Sequence, residues 1–165
     1  MRFLLIDRIV EFQPGVRVTA VKSLTMAEEY LADHFPNFPV MPGVLMLEAM
    51  TQAAAWLIRL SEDFSHSVIL LKHAANVKYG QFVEPGQLLT VTAEILSQTA
   101  TETKVKAHGA VDGRTTVSGR LVLERYNLAD SNPLEASADE LILQEMRNLL
   151  TILYQPGPPV VPTSV

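Results

Sequence analysis

The sequence predicts an α+β protein: one long, buried central helix wrapped by an antiparallel sheet, with an additional helix near the C-terminal end. Three observations predict it. Residues 43–60 carry apolar side chains at 44–47, 49, 50 and 53–58, and a helix apolar on nearly every side is buried on nearly every side. Residues 67–126 then read as strands divided by turn signals, the pattern of a meander. Finally, Leu141, Leu143, Met146, Leu149 and Leu150 share one helical stripe behind Ser137-Ala-Asp-Glu140, a capping-box pattern.

Taken in order, residues 3–12 form a short apolar segment that stops at Pro14-Gly15, a turn dipeptide. Val16, Val18, Ala20 and Val21 are interleaved with Arg17, Thr19 and Lys22, so residues 16–24 are the second arm of a hairpin. Residues 27–32 suit one or two helical turns, with Thr25 as N-cap and Glu28 as its capping-box partner. A loop with prolines at 36, 39 and 42 precedes the central helix, and Ser61-Glu62-Asp63 ends it. Residues 67–83 are one long strand with Gly80 as a bulge or bend; 87–97, 102–111 and 115–126 follow. Asp112-Gly113 marks a tight hairpin between the last two. We expect a domain over 1–127 and an extension over 128–165 made of a linker, an amphipathic helix and a proline-rich tail from Gln155.

Composition narrows the function. The chain has 165 residues, 48% hydrophobic and 19% charged, enough for one well-buried core. Its net charge of -5 and lack of a Lys/Arg run argue against a nucleic-acid partner. Without cysteine there are no disulfides, no thiolate chemistry and no Cys-based metal site. No apolar run approaches the roughly 20 residues of a membrane span, and the first run breaks at Asp7 and Arg8, too early for a signal peptide. The expectation is a cytoplasmic protein.

Chemistry concentrates in residues 34–52, His34-Phe-Pro-Asn-Phe-Pro-Val-Met-Pro-Gly-Val-Leu-Met-Leu-Glu48-Ala-Met-Thr-Gln52. Pro42-Gly43 suits a helix start, where the N–H groups of Gly43 and Val44 lack intrahelical acceptors and the helix dipole is positive. A thioester carbonyl placed there would be polarised as in an oxyanion hole. Glu48 and Gln52 stand one turn apart on one helix face. Apolar neighbours at Leu47 and Met50 favour the protonated, proton-donating form of a carboxyl. His34 supplies an imidazole suited to taking or giving a proton. Each alone has a plainer reading: a loop histidine, a surface glutamate, a core amide, a helix start. Together they point to a site.

The stretch resembles the β-hydroxyacyl-acyl-carrier-protein dehydratases of type II fatty-acid synthesis, whose pattern His-Phe-Pro-x-x-Pro-Val-Met-Pro-Gly-Val-Leu-x-x-Glu-Ala-x-x-Gln is matched from His34 through Gln52. Weaker likeness extends over residues 3–126. The resemblance implies a hot-dog fold and a homodimer, or a trimer of dimers, with active sites at the subunit interface. It implies that His34 removes the C2 proton, that Glu48 of the other subunit protonates the leaving hydroxyl, that Gln52 helps orient Glu48 or a water, and that Gly43 N–H holds the thioester oxygen; Gly43, Val44 and Gln52 are the expected substrate-binding set. The implied reaction is reversible dehydration of 3-hydroxyacyl-ACP to trans-2-enoyl-ACP, with acyl carrier protein as partner and no cofactor or metal. A hot-dog thioesterase and a non-catalytic acyl-ACP-binding subunit are the alternatives.

The chain departs from the family pattern at Asp33 and Asn37, where glycine is usual, and at Gly80 and Phe82 before the Pro85-Gly86 turn. Asp33 puts a negative charge beside His34. His66, His73 and His108 have no metal-ligand spacing. Lys104, Lys106 and His108 share a strand face, read as solvated or as a contact for an acidic carrier with Arg59, Lys78, Arg114 or Arg120 nearby.

Overall fold

A computed structural model describes residues 4–35 and 37–155; the proline-rich tail lies outside them. The strands are β1 (Arg8–Gln13), β2 (Arg17–Ser23), β3 (Val68–Tyr79), β4 (Leu88–Gln98), β5 (Glu102–Val111) and β6 (Arg114–Tyr126). They form one sheet in the order β1-β2-β4-β5-β6-β3, with every neighbouring pair antiparallel. The helix α1 (Gly43–Ser61) lies against β2, β4, β5, β6 and β3, and α2 (Ala136–Leu153) closes the chain. The long helix in a sheet wrap is the hot-dog arrangement.

Turn chemistry sets the strand pairings. Asp112 and Gly113 both take positive φ, 49° and 77°, as the two-residue hairpin between β5 and β6 requires. The alternating burial along β5 sends Thr103, Val105, Ala107 and Val111 inward, where they meet Val117, Leu121 and Leu123 of β6. Leu57 on α1 is fully buried among them. Its truncation to Ala should cost about 2–5 kcal/mol, a large part of a typical domain's stability of roughly 5–15 kcal/mol.

Several local expectations are corrected. Helix α1 is not buried all round: Val44 is 69% exposed, and Leu47, Glu48, Gln52 and Ala55 are only half-buried. These residues recur at helical spacing, so one stripe faces away from the sheet, which can cover only one side of a helix. Gly80 is not a bulge inside β3 but follows its end, and a Cβ there would stand 2.7 Å from the Thr115 carbonyl oxygen, so the close approach of the two backbones requires glycine. The bulges of β3 lie instead between Leu71 and His73 and between Ala75 and Lys78, with Asn76 at φ 54°. Thr25 does not cap the short 3-10 turn Glu29–Leu31; Glu28 precedes that turn and pairs with Lys22 at 2.7 Å.

Ser137 does not cap α2 either, since the helix already starts at Ala136. Asp139 turns back instead. It accepts hydrogen bonds from Leu128 N and Ala129 N at 2.9 Å each and from the Ser67 hydroxyl, tying α2 to the start of β3. Burial opposes the charge of Asp139, and these three donors outweigh it, holding the carboxyl below its usual range. At the far end of α2, Leu153 is buried and Tyr154 meets Phe12 edge-on at 6.4 Å. Leu141 is 61% exposed and lies off the packed stripe.

Candidate active site

The loop before α1 is pinned at several points. His34 N donates to Tyr30 O at 3.1 Å, Phe38 N to Phe35 O at 2.7 Å, and Met41 N to Val83 O at 2.9 Å. Phe35 takes a left-handed φ of 57°, a conformation a bulky residue adopts only when its surroundings impose it. Upstream, Lys22 is nearly buried between Glu28 and Asp7, at 2.7 and 3.2 Å. Burial works against its charge, but the two carboxylates more than compensate and raise its pKa. Burial, reinforced by the charges of Glu28 and Asp7, pushes the Tyr30 phenol far above its usual value, so it remains neutral.

This bracing orients His34. Its Nδ1 lies 3.0 Å from Val40 O. A carbonyl oxygen only accepts, so Nδ1 carries the proton and Nε2 of the neutral ring is left with the lone pair. No hydrogen bond or ion pair joins Asp33 to His34 among the described residues.

His34 and Gly43 line the same cavity, about 290 Å³, together with Met41, Met46, Tyr79 and Phe82. Pro42 O accepts from Leu45 N at 2.9 Å and Met46 N at 3.2 Å. The N–H groups of Gly43 and Val44, which come before them, have no intrahelical acceptor. A Cβ on Gly43 would stand 3.0 Å from Tyr79 Cε1, so glycine is what lets the ring close over the helix start. Phe38 and Phe82 meet edge-on at 5.6 Å and are half-exposed.

Val44, Glu48 and Gln52 do not line this cavity within one protomer. They occupy the open stripe of α1. There Gln52 Nε2 donates to Glu48 Oε1 at 3.0 Å, while Gln52 Oε1 accepts from Leu5 N at 3.0 Å. The Leu5 amide therefore decides which end of the Gln52 amide faces Glu48. Sequence reasoning missed Leu5 and Tyr79. A backbone donor leaves no mark in sequence, and Tyr79 reads there as an ordinary strand residue. Among the described residues no three His, Asp or Glu side chains group as metal ligands would.

A sheet-wrapped helix whose N-terminus, flanked by an imidazole, opens onto an apolar cavity defines a hot-dog protein. The chain belongs to the FabA-like domain family, whose model matches residues 1–125. It is 38% identical over 119 residues to the 3-hydroxyacyl-[acyl-carrier-protein] dehydratase FabZ of Ruminiclostridium cellulolyticum, covering 72% of this chain and 84% of that one. It is 37% identical to the protein of the same name from Janthinobacterium sp., covering 79% and 85%. Among solved structures, the dehydratase heterocomplex ApeI:P from Xenorhabdus doucetiae matches with a TM-score of 0.65 at 17% identity, covering 81% of this chain and 90% of that one. Protein smu.793 from Streptococcus mutans, bound to acetyl CoA, matches at 0.58 and 13%, over 76% and 92%. At such identities these two show the shared fold alone.

Proposed function

We propose that the protein is a 3-hydroxyacyl-ACP dehydratase, a hydro-lyase of fatty-acid biosynthesis acting in the cytoplasm. One observation carries this reading: the His34 ring, held with its Nδ1 proton on Val40 O, shares a cavity with the helix start at Gly43. The family membership and the names of the relatives support the same activity.

In this reading the thioester oxygen accepts from Gly43 N–H, with the adjacent Val44 N–H and the helix dipole adding to the positive field. This stabilises the developing enolate and acidifies C2. His34 Nε2 takes the C2 proton, and the C–H electron pair becomes the C2–C3 π bond. The C3–O bond breaks as Glu48 gives its proton to the leaving hydroxyl, releasing water. His34 is left protonated and Glu48 ionised, and proton exchange with solvent restores both. Gln52, fixed by Leu5, holds Glu48 Oε1, so the transferable proton sits on Oε2.

Glu48 lies outside the His34 cavity within one chain. We therefore assign it to the site of a second copy, in a homodimer. The half-open stripe of α1 and the edge position of β3 in the sheet support such pairing. The catalytic unit is residues 1–127, with 128–165 as an extension; the end of β6 at Tyr126 supports that division.

The test is turnover of a ladder of 3-hydroxyacyl-ACP lengths, following enoyl-ACP formation. Product from the wild type is expected, with turnover lowered by about 10²–10⁴-fold in His34→Ala and in Glu48→Gln. Release of free acid without enoyl-ACP would replace the reading with a thioesterase. Tight acyl-ACP binding with no turnover at any length would leave a binding subunit.

A further inference from the structure

The end of β3 brings a phenol to the start of α1. Tyr79 is the last residue of that strand and pairs with Val117, which is fully buried in β6. Just beyond it the backbone is pinned, with Gly80 N donating to Thr116 O at 2.7 Å. The ring therefore leaves a fixed strand end, and one edge of it lies against Gly43. From an added Gly43 Cβ, Cε1, Cδ1 and Cζ of the ring would stand at 3.0, 3.3 and 3.4 Å. The hydroxyl is one bond beyond Cζ, so it is carried to the residue whose N–H opens the helix.

The cavity holds few other polar groups. Of the side chains that line it, those of His34, Tyr79 and Gln81 carry a nitrogen or oxygen. His34 uses its N–H on Val40 O and keeps a lone pair at Nε2, so toward a substrate it accepts. Gln81 lies past the strand end and is exposed. Tyr79 is 51% exposed, and among the described residues its hydroxyl has no hydrogen-bond partner.

Water satisfies that hydroxyl while the cavity is open. An acyl thioester lying in the cavity displaces the water, and a phenol O–H enclosed without an acceptor is costly. The thioester oxygen, held at Gly43 N–H, supplies the acceptor. A ring that served only as a wall would need no hydroxyl, and Phe35 and Phe82 in the same wall have none.

We infer that Tyr79 is a further catalytic residue, whose Oη–H donates to the thioester oxygen alongside the N–H of Gly43. The inference rests on the dehydratase reading, which puts that oxygen at the start of α1. As His34 Nε2 takes the C2 proton, the electron pair of the C–H bond moves toward the thioester oxygen, and both hydrogen bonds strengthen. The phenol keeps its own proton throughout. When the C3–O bond breaks, the charge flows back to form the C2–C3 π bond and the hydrogen bonds relax.

The experiment starts from Tyr79→Phe in the full chain, which keeps the ring against Gly43 and removes only the hydroxyl. On 3-hydroxyacyl-ACP, kcat should fall roughly ten- to hundredfold, below the usual 10²–10³ for an enclosed oxyanion donor because the ring is half-exposed. KM and the melting temperature should stay as in the wild type. Gln81→Leu, the control for the other cavity donor, should leave kcat unchanged. Fluorinated tyrosines introduced at position 79 are stronger donors and should raise kcat in order of their acidity, an effect that a packing role would not produce. An unchanged kcat in Tyr79→Phe, or a loss carried by Gln81→Leu instead, overturns the inference.

Infrared spectroscopy gives a readout that does not need turnover. A saturated acyl-ACP labelled with ¹³C at the thioester carbonyl cannot lose water, and its carbonyl band should shift to lower frequency when bound. Tyr79→Phe should reverse part of that shift. A loss of kcat without any change in the band would place the hydroxyl on His34 Nε2 and overturn the inference, as would the absence of a bound band in the wild type. If the wild type turns over nothing while the band shifts as described, the dehydratase reading fails and the hydrogen bond to the thioester stands.

Discussion

His34 donates through Nδ1 to the carbonyl oxygen of Val40, 3.0 Å away, and this one bond decides which ring nitrogen can act as a base. Replacing His34 by Ala should lower kcat by about 10²–10⁴-fold, the usual worth of a positioned general base. The melting temperature should hardly change, because the ring is only half-buried. Single-turnover kinetics on a 3-hydroxyacyl-ACP check this, and a loss confined to KM would remove His34 from the proton transfer.

The Gln52 amide bridges Leu5 N and Glu48 Oε1, at 3.0 Å to each. Gln52→Leu keeps the side chain's bulk and loses both bonds. It should reduce kcat roughly tenfold, about 1.4 kcal/mol of transition-state stabilisation, with KM unchanged. An unchanged kcat would show that Gln52 serves packing only.

Gly43 leaves room for Tyr79, whose Cε1 would stand 3.0 Å from an added Cβ. The half-exposed ring can swing aside, so Gly43→Ala should fold while distorting the cavity wall. KM for acyl substrate should rise several-fold. Adding Tyr79→Ala should recover part of it. Kinetics of the double variant matching the sum of the two singles would argue against this contact.

Asp139 holds α2 through Ser67, Leu128 and Ala129, and its pKa is lowered in the folded protein. For a carboxyl with a depressed folded value, the stabilisation is present above the unfolded value of about 3.9 and is lost as pH falls through the folded one. Hydrogen-exchange protection of residues 140–153 should therefore disappear in acid below pH about 4, before that of β5 and β6. Asp139→Asn should show the same loss at neutral pH. Simultaneous loss across the whole chain would mean that α2 and the sheet unfold as one unit.

Lys22 shows the opposite sign. Its pKa is raised by Glu28 and Asp7, so its contribution is complete below the unfolded value of about 10.4 and lost as pH rises through the folded one. Lys22→Met should cost about 1–3 kcal/mol by urea unfolding near neutrality, and the difference from wild type should shrink in strong alkali.

The sequence by itself determined the elements and the cluster of candidate residues. Apolar periodicity marked α1 and the strands, Asp112-Gly113 marked the tight hairpin, and the run from His34 to Gln52 brought an imidazole, a helix start, a carboxyl and an amide into one stretch. Such signals are local, carried by residues close together in the chain. Only the tertiary structure decided what depends on distant partners. It showed that α1 keeps one stripe open and that His34 shares its cavity with Gly43 but not with Glu48. It also showed that Leu5 orients Gln52 and that Asp139 ties α2 down, where the sequence offered Ser137 as a cap. The end of β3, in turn, carries the Tyr79 ring onto Gly43. The physical reason is common to all of these: a hydrogen bond, a cavity wall or the approach of a ring to a backbone is set by which chain segments pack together, and the residue types of either segment alone do not carry that information.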